Sequence, residues 1–237
     1  MFVNLPNAFG DAVTNMAVDA ALLETLPERT VVFRHYGWTE PCRTFGYSQR
    51  HGEVAAHAPS GLTLCRRMTG GGIVDHRNDW TYALIIHQTA ACARIPSTDL
   101  YASIHSALAH ALARQNITTA LAPCPRKCEE PAAKTVGPDQ CFVQPVMNDV
   151  LHPEGPKIAG AAMKRTRKGL LIQGSVDRGA LPLELDFELF SQSFAQLLAR
   201  DLELPQQQPD DLRPFFRSDV IEREKEKFAS RQWTLRR

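Results

Sequence analysis

The sequence has no long hydrophobic run, and its charges nearly cancel. The longest apolar stretch near the middle, YALIIH at 82–87, is far too short to cross a bilayer. The net charge is +1 at pH 7, so the composition gives no general affinity for nucleic acid or another polyanion. The start of the chain, MFVNLPNAFGD, lacks the basic residues and apolar core of a signal peptide. We therefore expect a cytoplasmic protein whose partners include neither nucleic acid nor membrane.

Paired cysteines are also missing. Six cysteines are scattered through 237 residues, a distribution typical of reduced thiols. Cys124 and Cys128 stand close together, but no second Cys/His pair follows them to complete a tetrahedral zinc site. The sequence therefore predicts neither a disulfide framework nor a metal site.

The apolar content suffices for one sizeable domain over 1–237, with a core at about 8–200 and a helical extension at 210–237. Strand-like runs follow one another, with helical segments at the ends and in the middle. This order predicts an α+β fold in which a mixed, largely antiparallel sheet packs with helices.

Local patterns predict the individual elements. TVVFRHYGW and CRTFGYSQ are predicted to form a hairpin across TEP, and VMNDVLHP, PKIAGAAMKR and GLLIQGSVD to form three successive antiparallel strands. Helices are expected over 15–26, after Ser97 as N-cap, in LELDFELFSQSFAQLLARDL and in DVIEREKEKFAS. The stretch 122–139 has no periodicity, and its length suggests a functional loop.

The segment RRMTGGGIVDH, at 66–76, places two arginines before three consecutive glycines. Successive glycine amides can form an anion-binding concavity, to which Arg66 and Arg67 add bidentate charge. The pattern predicts a phosphate or carboxylate ligand over the loop, and a glycine-rich bulge between strands is the alternative. Neither a Walker loop nor a GxGxxG fingerprint is present.

Lys157 lies in a strand-like stretch whose next residues are apolar or small, including Gly160. A lysine in that setting needs an anionic partner, and the small residues leave room for a ligand close to the backbone. The nearby Asp149 is interpreted first as a strand-edge residue. The cations in KRTRK, at 164–168, are expected in a solvated turn or on a docking surface for an acidic partner.

Taken together, GYSQR, RRMTGGGIVDH, DWTYAL and KIAGAAMKRTRKGLLIQGSV resemble the lipoate–protein ligase and octanoyltransferase family. The resemblance runs from NMAVDAALL to about Val176. It implies a mixed sheet packed with helices. It also implies attachment of lipoate or octanoate to one lysine of a lipoyl domain, in 2-oxoacid dehydrogenases or the glycine cleavage H protein.

The glycine loop, GGGIV, is closer to the ligases, so we expect first an enzyme that uses ATP and Mg²⁺ to convert lipoate into an acyl-adenylate. In that case Lys157 would contact the acyl carbonyl and the phosphate. The resemblance assigns the acyl-adenylate to a larger set of residues: Arg66, Arg67, Gly70, Gly71, Gly72, Ile73, Val74, Asp75, His76 and Gly160. His76 is otherwise expected to anchor the loop. No accessory C-terminal domain is expected, so such a ligase would need a separate accessory subunit or a self-sufficient site.

The alternative is a cysteine-dependent octanoyltransferase, or a related amidotransferase that moves acyl groups between lipoyl domains. Cys141, in DQCFVQPVMND, occupies the place where one branch of octanoyltransferases carries a cysteine that accepts octanoate from acyl carrier protein as a thioester. Lys157 would then stabilise the thiolate, and no cofactor would be required. A non-catalytic lipoyl-binding protein is a third possibility.

Overall fold

The computed structural model describes residues 1–124 and 145–236. Twelve strands occur in this part of the chain: β1 (Phe2–Asn4), β2 (Ala8–Gly10), β3 (Val31–Trp38), β4 (Cys42–Phe45), β5 (Thr63–Arg66), β6 (Val74–Asp75), β7 (Asp79–His87), β8 (Ala120–Leu121), β9 (Val150–Leu151), β10 (Lys157–Arg165), β11 (Gly169–Asp177) and β12 (Gln206–Gln207).

Six α-helices accompany these strands: α1 (Ala12–Thr25), α2 (His51–Ala56), α3 (Ser97–Ala113), α4 (Phe187–Asp201), α5 (Ser218–Ala229) and α6 (Arg231–Thr234). None of the helices in the described ranges combines the length and the apolar character needed to span a bilayer.

The main sheet has nine strands, eight of them in the order β12-β1-β3-β7-β11-β10-β9-β8, with β2 paired to β3 as a branch. Its centre, β3-β7-β11-β10, is antiparallel throughout, whereas β1 and β2 run parallel to β3. The predicted α+β fold with a mixed, largely antiparallel sheet is confirmed. The predicted succession of β9, β10 and β11 as antiparallel neighbours is also confirmed.

Alternation along the strands divides the core between the two faces of this sheet. Phe33, Leu84 and Ile172 point to the face covered by α3 and α4. Val32 and Ile85 belong to the opposite face, where α1 packs and is covered in turn by α5. The central strands are therefore apolar on both sides, as buried strands require.

The predicted hairpin between β3 and β4 is wrong. β4 leaves the main sheet and forms the middle of a three-stranded sheet, parallel to β5 and antiparallel to β6. Glu40, in the supposed turn, accepts hydrogen bonds from the backbone N–H of Ala12 and the hydroxyl of Thr63. The turn thus ties α1 to β5, a long-range arrangement that strand alternation cannot reveal.

Helix starts also differ from expectation. Helix α1 begins at Ala12, three residues earlier than predicted, because Asp11 caps it by accepting from the N–H of Thr14 at 2.6 Å. Ser97 is the first residue of α3 and not its cap; Pro96 precedes it without a side-chain capping bond. Most of the loop predicted over 122–139 lies outside the described residues.

Candidate active site

A cleft opens between the main sheet and the three-stranded sheet. Strands β10 and β11 contribute mostly small residues to one wall. The lining consists of Met16, Tyr36, Trp38, Thr44, Arg67, Gly71, Val74, His76, Thr81, Gly160, Ala161, Ala162, Gln173, Gly174 and Ser175.

The glycine loop is folded around Arg67. One guanidinium nitrogen of Arg67, Nη2, donates to the carbonyl oxygens of Gly70 and Gly72, each at 2.8 Å. Gly71 has φ +83°, in the left-handed region that favours glycine. A Cβ at Gly46 would overlap the carbonyl oxygen of Gly71, so two glycines are needed for this close approach. Arg67 and Gly71 both line the cleft, which places the predicted motif in its wall.

The neighbouring Arg66 points elsewhere. Its side chain is fully buried, and its three nitrogens donate to the carbonyl oxygens of Tyr47, Gln49, Trp233 and Thr234 at 2.7 to 3.3 Å. The indole N–H of Trp233 donates back to the carbonyl of Arg66 at 2.9 Å. These contacts anchor the C-terminal helices behind the cleft wall. The contact between Arg66 and an acyl-adenylate stays a prediction.

The residues after the glycines separate in a similar way. Val74 lines the cleft, whereas Ile73 packs with Phe45 and Val54 in a small separate core. Asp75 pairs with Arg43 and Arg77. Partial burial would raise the pKa of Asp75, but hydrogen bonds from Arg77 and Arg43 outweigh it and lower the pKa to about 2.

His76 belongs to a hydrogen-bonded chain whose proton positions follow from the donors. Arg67 can only donate, and its Nη1 lies 2.7 Å from Oγ1 of Thr44. Thr44 therefore directs its own proton to Nε2 of His76, 2.7 Å away, and Nδ1 of His76 donates to Oδ2 of Asp79 at 2.8 Å. Trp38 stacks on the imidazole at 3.9 Å. The arrangement favours the loop-anchoring role expected for His76.

Lys157 forms a buried ion pair beside Gly160, a residue that lines the cleft. Its Nζ is 2.7 Å from Oδ2 of Asp149, and the two side chains are 4% and 0% exposed. A Cβ at Gly160 would lie 2.5 Å from both Cε and Nζ of Lys157. The space above Gly160 is thus occupied by the lysine itself, and Gly160 also lines the cleft.

Asp149 is the partner that sequence reasoning missed. The sequence indicated that Lys157 needs an anion but did not connect it with Asp149, which it placed at a strand edge. The chain reverses between β9 and β10, so two residues eight positions apart meet. A carboxylate inside the apolar stretch VMNDVL was the available signal.

A second network that the sequence did not reveal lies beneath the cleft. Asp19 of α1 pairs with Arg34 at 2.6 Å and accepts from Tyr36 and from Nε2 of Gln173 at 3.0 and 2.7 Å. Oε1 of Gln173 accepts from the hydroxyl of Thr69 at 2.8 Å. Gln173 therefore links the segment preceding the glycines to α1. A charged residue in each of two apolar stretches, AVDAALL and VVFRHY, was the sequence signal.

The tertiary structure brings the two predicted motifs to one cleft. A Cβ at Gly71 would lie 3.4 Å from Arg67 and 3.5 Å from Cβ of Ala162, so the glycine loop faces β10 directly. The Lys157 ammonium lies over Gly160, two residues before Ala162 on the same face of that strand. Cys141 lies outside the described residues.

The family model for the lipoyl protein ligase A/B catalytic domain matches residues 11–202. The chain therefore belongs to this family, as the motifs had suggested.

Among curated relatives, the chain is 31% identical over 186 residues to an octanoyltransferase LipM of Kyrpidia tusciae, covering 76% of this chain and 65% of that protein. It is 32% identical over 187 residues to an octanoyltransferase LipM of Geobacillus kaustophilus, covering 76% and 64%. The chain thus spans somewhat less than two thirds of the length of these relatives.

Solved structures share the fold. A bi-partite lipoate protein ligase from Thermoplasma acidophilum matches with a TM-score of 0.69 and 17% identity, covering 98% of this chain and 95% of that one. A lipoate-protein ligase A bound with ATP matches with a TM-score of 0.73 and 15% identity, covering 98% and 97%. At these identities the likeness concerns the fold alone.

Proposed function

We propose that this protein transfers an octanoyl group from a thioester donor to a lysine of a lipoyl domain, without ATP. The observation that carries the proposal is the buried Lys157–Asp149 ion pair, whose ammonium lies over Gly160 in the wall of the cleft. The similarity to octanoyltransferases supports transfer over ligation. Acyl carrier protein is the proposed donor, and a 2-oxoacid dehydrogenase domain or the glycine cleavage H protein the proposed acceptor.

The reaction has two balanced steps. The Cys141 thiol gives up its proton, and the resulting thiolate attacks the carbonyl carbon of the donor thioester. The carbon–sulfur bond of the donor breaks as the octanoyl-cysteine forms, and the departing donor thiolate takes up the released proton. The neutral amine of the acceptor lysine then attacks this second thioester. An amide bond forms, the cysteine sulfur is released, and the proton lost by the amine restores the thiol.

Lys157 is proposed to stabilise the negative charge that develops on the carbonyl oxygen in each step. A fixed ammonium group in a water-poor cleft stabilises such charge without further reorganisation. Its partner Asp149 and the backbone of Gly160 hold the ammonium in place. Ala161 and Ala162, which line the cleft, are proposed to lie beside the acyl chain.

The other cysteines support the choice of Cys141. Cys42, Cys65 and Cys92 are buried, and burial raises the pKa of each thiol, to about 12 for Cys65 and about 11 for Cys92. Such thiols are poor nucleophiles near neutral pH. Cys124 is exposed and precedes the segment that contains Cys141, so it supplies a matched control.

ATP-dependent ligation is the second candidate, favoured by the GGGIV form of the glycine loop. On that feature alone, ligation is the first expectation. In this reaction Arg67 and the loop backbone would hold an acyl-adenylate, and lipoate, ATP and Mg²⁺ would be required. The octanoyltransferase relatives move it to second place.

Intact-mass spectrometry of a purified lipoyl domain distinguishes the candidates. One reaction contains octanoyl acyl carrier protein, and the other contains lipoate, ATP and Mg²⁺. We expect an octanoyl mass gain in the first reaction, lost in Cys141→Ala and retained in Cys124→Ala. A gain only in the second reaction, unaffected by Cys141→Ala, would establish the ligase and reject transfer.

Lys157→Ala should slow octanoyl transfer by about 100-fold or more, the effect of removing one preorganised charge-stabilising donor. Lys225→Ala removes the same charge from α5 and should leave the rate unchanged. Near wild-type turnover in Lys157→Ala would contradict the site assignment.

A further inference from the structure

Tyr101, on α3, joins two parts of the candidate site. Its hydroxyl lies 3.0 Å from the backbone nitrogen of Ala161 and 2.5 Å from Oδ1 of Asp149. The amide of Ala161 can only donate, so the phenolic oxygen accepts that bond and the phenolic proton is directed to Asp149. Both hydrogen-bonding directions of Tyr101 are therefore fixed.

Among residues 1–124 and 145–236, no further strand partner meets this edge of β10, and the bond to Ala161 takes its place. Strand β9 pairs with β10 only at Lys157 and Ala159, with an irregular register between them. The next outward-facing amide on that edge belongs to Ala161, and the Tyr101 hydroxyl receives it. Tyr101 thereby holds the β10 edge beside the cleft, which Ala161 itself lines.

The hydrogen bond from Tyr101 to Asp149 helps to fix the orientation of that carboxylate. Oδ1 of Asp149 receives the Tyr101 proton, and Oδ2 receives the N–H of Val146 at 2.7 Å and the Lys157 ammonium at 2.7 Å. Donors on both oxygens prevent rotation of the carboxylate. The position of the Lys157 ammonium over Gly160 thus depends on a chain of contacts that begins at Tyr101.

The hydroxyl remains a donor under working conditions. Burial, followed by the negative charge of Asp149 and the hydrogen bond to it, raises the pKa of Tyr101 far above its ordinary value. The ring is also held, since it packs edge-on against the imidazole of His105 at 4.2 Å.

We propose that Tyr101 is a positioning residue for acyl transfer, which acts through Asp149 to hold the Lys157 ammonium over Gly160. The inference rests on the proposed function of Lys157 in that reaction. Tyr101 need not touch the acyl group or the acceptor. Its loss should therefore affect turnover and not acceptor binding.

The first test is Tyr101→Phe, which keeps the ring and removes only the hydroxyl. We expect kcat for octanoyl transfer to fall about tenfold, with KM for the lipoyl domain unchanged. Tyr82→Phe is the matched control. Tyr82 is fully buried, and its hydroxyl has no hydrogen-bond partner among residues 1–124 and 145–236. That variant should keep the wild-type kcat.

A double-mutant cycle separates positioning from a general structural effect. If Tyr101 acts through Asp149, then Tyr101→Phe combined with Asp149→Asn should be no slower than Asp149→Asn alone. Independent, multiplying losses would overturn the proposal. So would a wild-type kcat in Tyr101→Phe.

A third measurement does not depend on turnover. Competitive acetylation with a trace of acetic anhydride, read by peptide mass spectrometry, reports the reactivity of Lys157 relative to the exposed Lys168 of the same molecule. We expect this ratio to rise at least about threefold in Tyr101→Phe and to stay constant in Tyr82→Phe. An unchanged ratio in both variants would overturn the positioning role. A raised ratio in a protein whose wild type transfers no acyl group would support positioning and reject the proposed function.

Discussion

On the face covered by α3 and α4, the main sheet buries an aromatic cluster, whereas on the face covered by α1 it buries a charged network. Phe33 and Phe194 meet at 5.5 Å on the first face, with Tyr82 and Trp80 beside them. On the second face Asp19, Arg34 and Gln173 are hydrogen-bonded below the cleft.

The difference shows how one sheet serves two purposes. Apolar packing stabilises the fold in proportion to the surface removed from water. A buried ion pair contributes little net stability, because desolvation offsets most of its attraction, but it leaves few alternative arrangements. The charged network includes Gln173, which lines the cleft, whereas the residues of the aromatic cluster named above do not line the cleft. We therefore expect substitutions in the aromatic cluster to change stability and substitutions in the charged network to change activity.

The largest expected effect is on the aromatic face. Phe194→Ala would remove a fully buried ring that contacts Phe33, Tyr82 and Phe190, and should lower the free energy of unfolding by about 4 kcal/mol. Urea denaturation measures this loss. Leu183→Ala, at a side chain that is 99% exposed, should change it by less than about 0.5 kcal/mol. A loss below 1 kcal/mol in Phe194→Ala would contradict the comparison.

The next largest change in stability is expected from His105, a buried polar residue of α3. Nδ1 of His105 donates to the carbonyl of Asn148 at 2.6 Å, and burial lowers the pKa of the imidazole from 6.5 to about 4. Between pH 4 and pH 6.5, the His105 imidazole is therefore protonated in the unfolded chain but largely neutral in the folded protein. The stabilising contribution is therefore complete above about pH 6.5 and is lost as pH falls toward 4.

Urea titrations at pH 7 and pH 4.5 measure this contribution. A single histidine with these two pKa values should account for a loss of about 2 to 3 kcal/mol between the two conditions. His105→Phe should remove that part of the pH dependence. The same pH dependence in the variant would show that other groups cause it.

The smallest change in stability is expected on the charged face. Thr69→Val preserves shape but leaves Oε1 of Gln173 without its donor, at a cost of about 1 kcal/mol. Because Thr69 precedes the glycine loop, the proposed transfer rate should fall by more than this small change in stability predicts. Urea denaturation and turnover on one preparation provide both values. If Thr69→Val lowered the stability but left the transfer rate unchanged, the proposed link between the charged network and activity would be wrong.

Much of the fold was predictable because short-range sequence patterns determine it. The alternation of apolar and polar or small residues predicted β10 and β11. Because only a short turn joins them, they were expected to pair with each other. The pairing of β4 was not predictable, because its alternating pattern is compatible with a place in either sheet. Glu40 fixes the turn before β4 through hydrogen bonds from Ala12 and Thr63, which are distant in sequence. The family could be identified from the glycine and lysine motifs, each of which is local.

The sequence by itself determined the family and the α+β class, and it singled out the three glycines, Arg67 and Lys157 as candidate site residues. Only the tertiary structure decided what each of them contacts. Adjacent side chains on an extended chain point to opposite sides, so Arg66 turns to the C-terminal helices while Arg67 enters the glycine loop. The anion for Lys157 comes from Asp149 because β9 and β10 fold back on each other, a long-range meeting that no local pattern encodes.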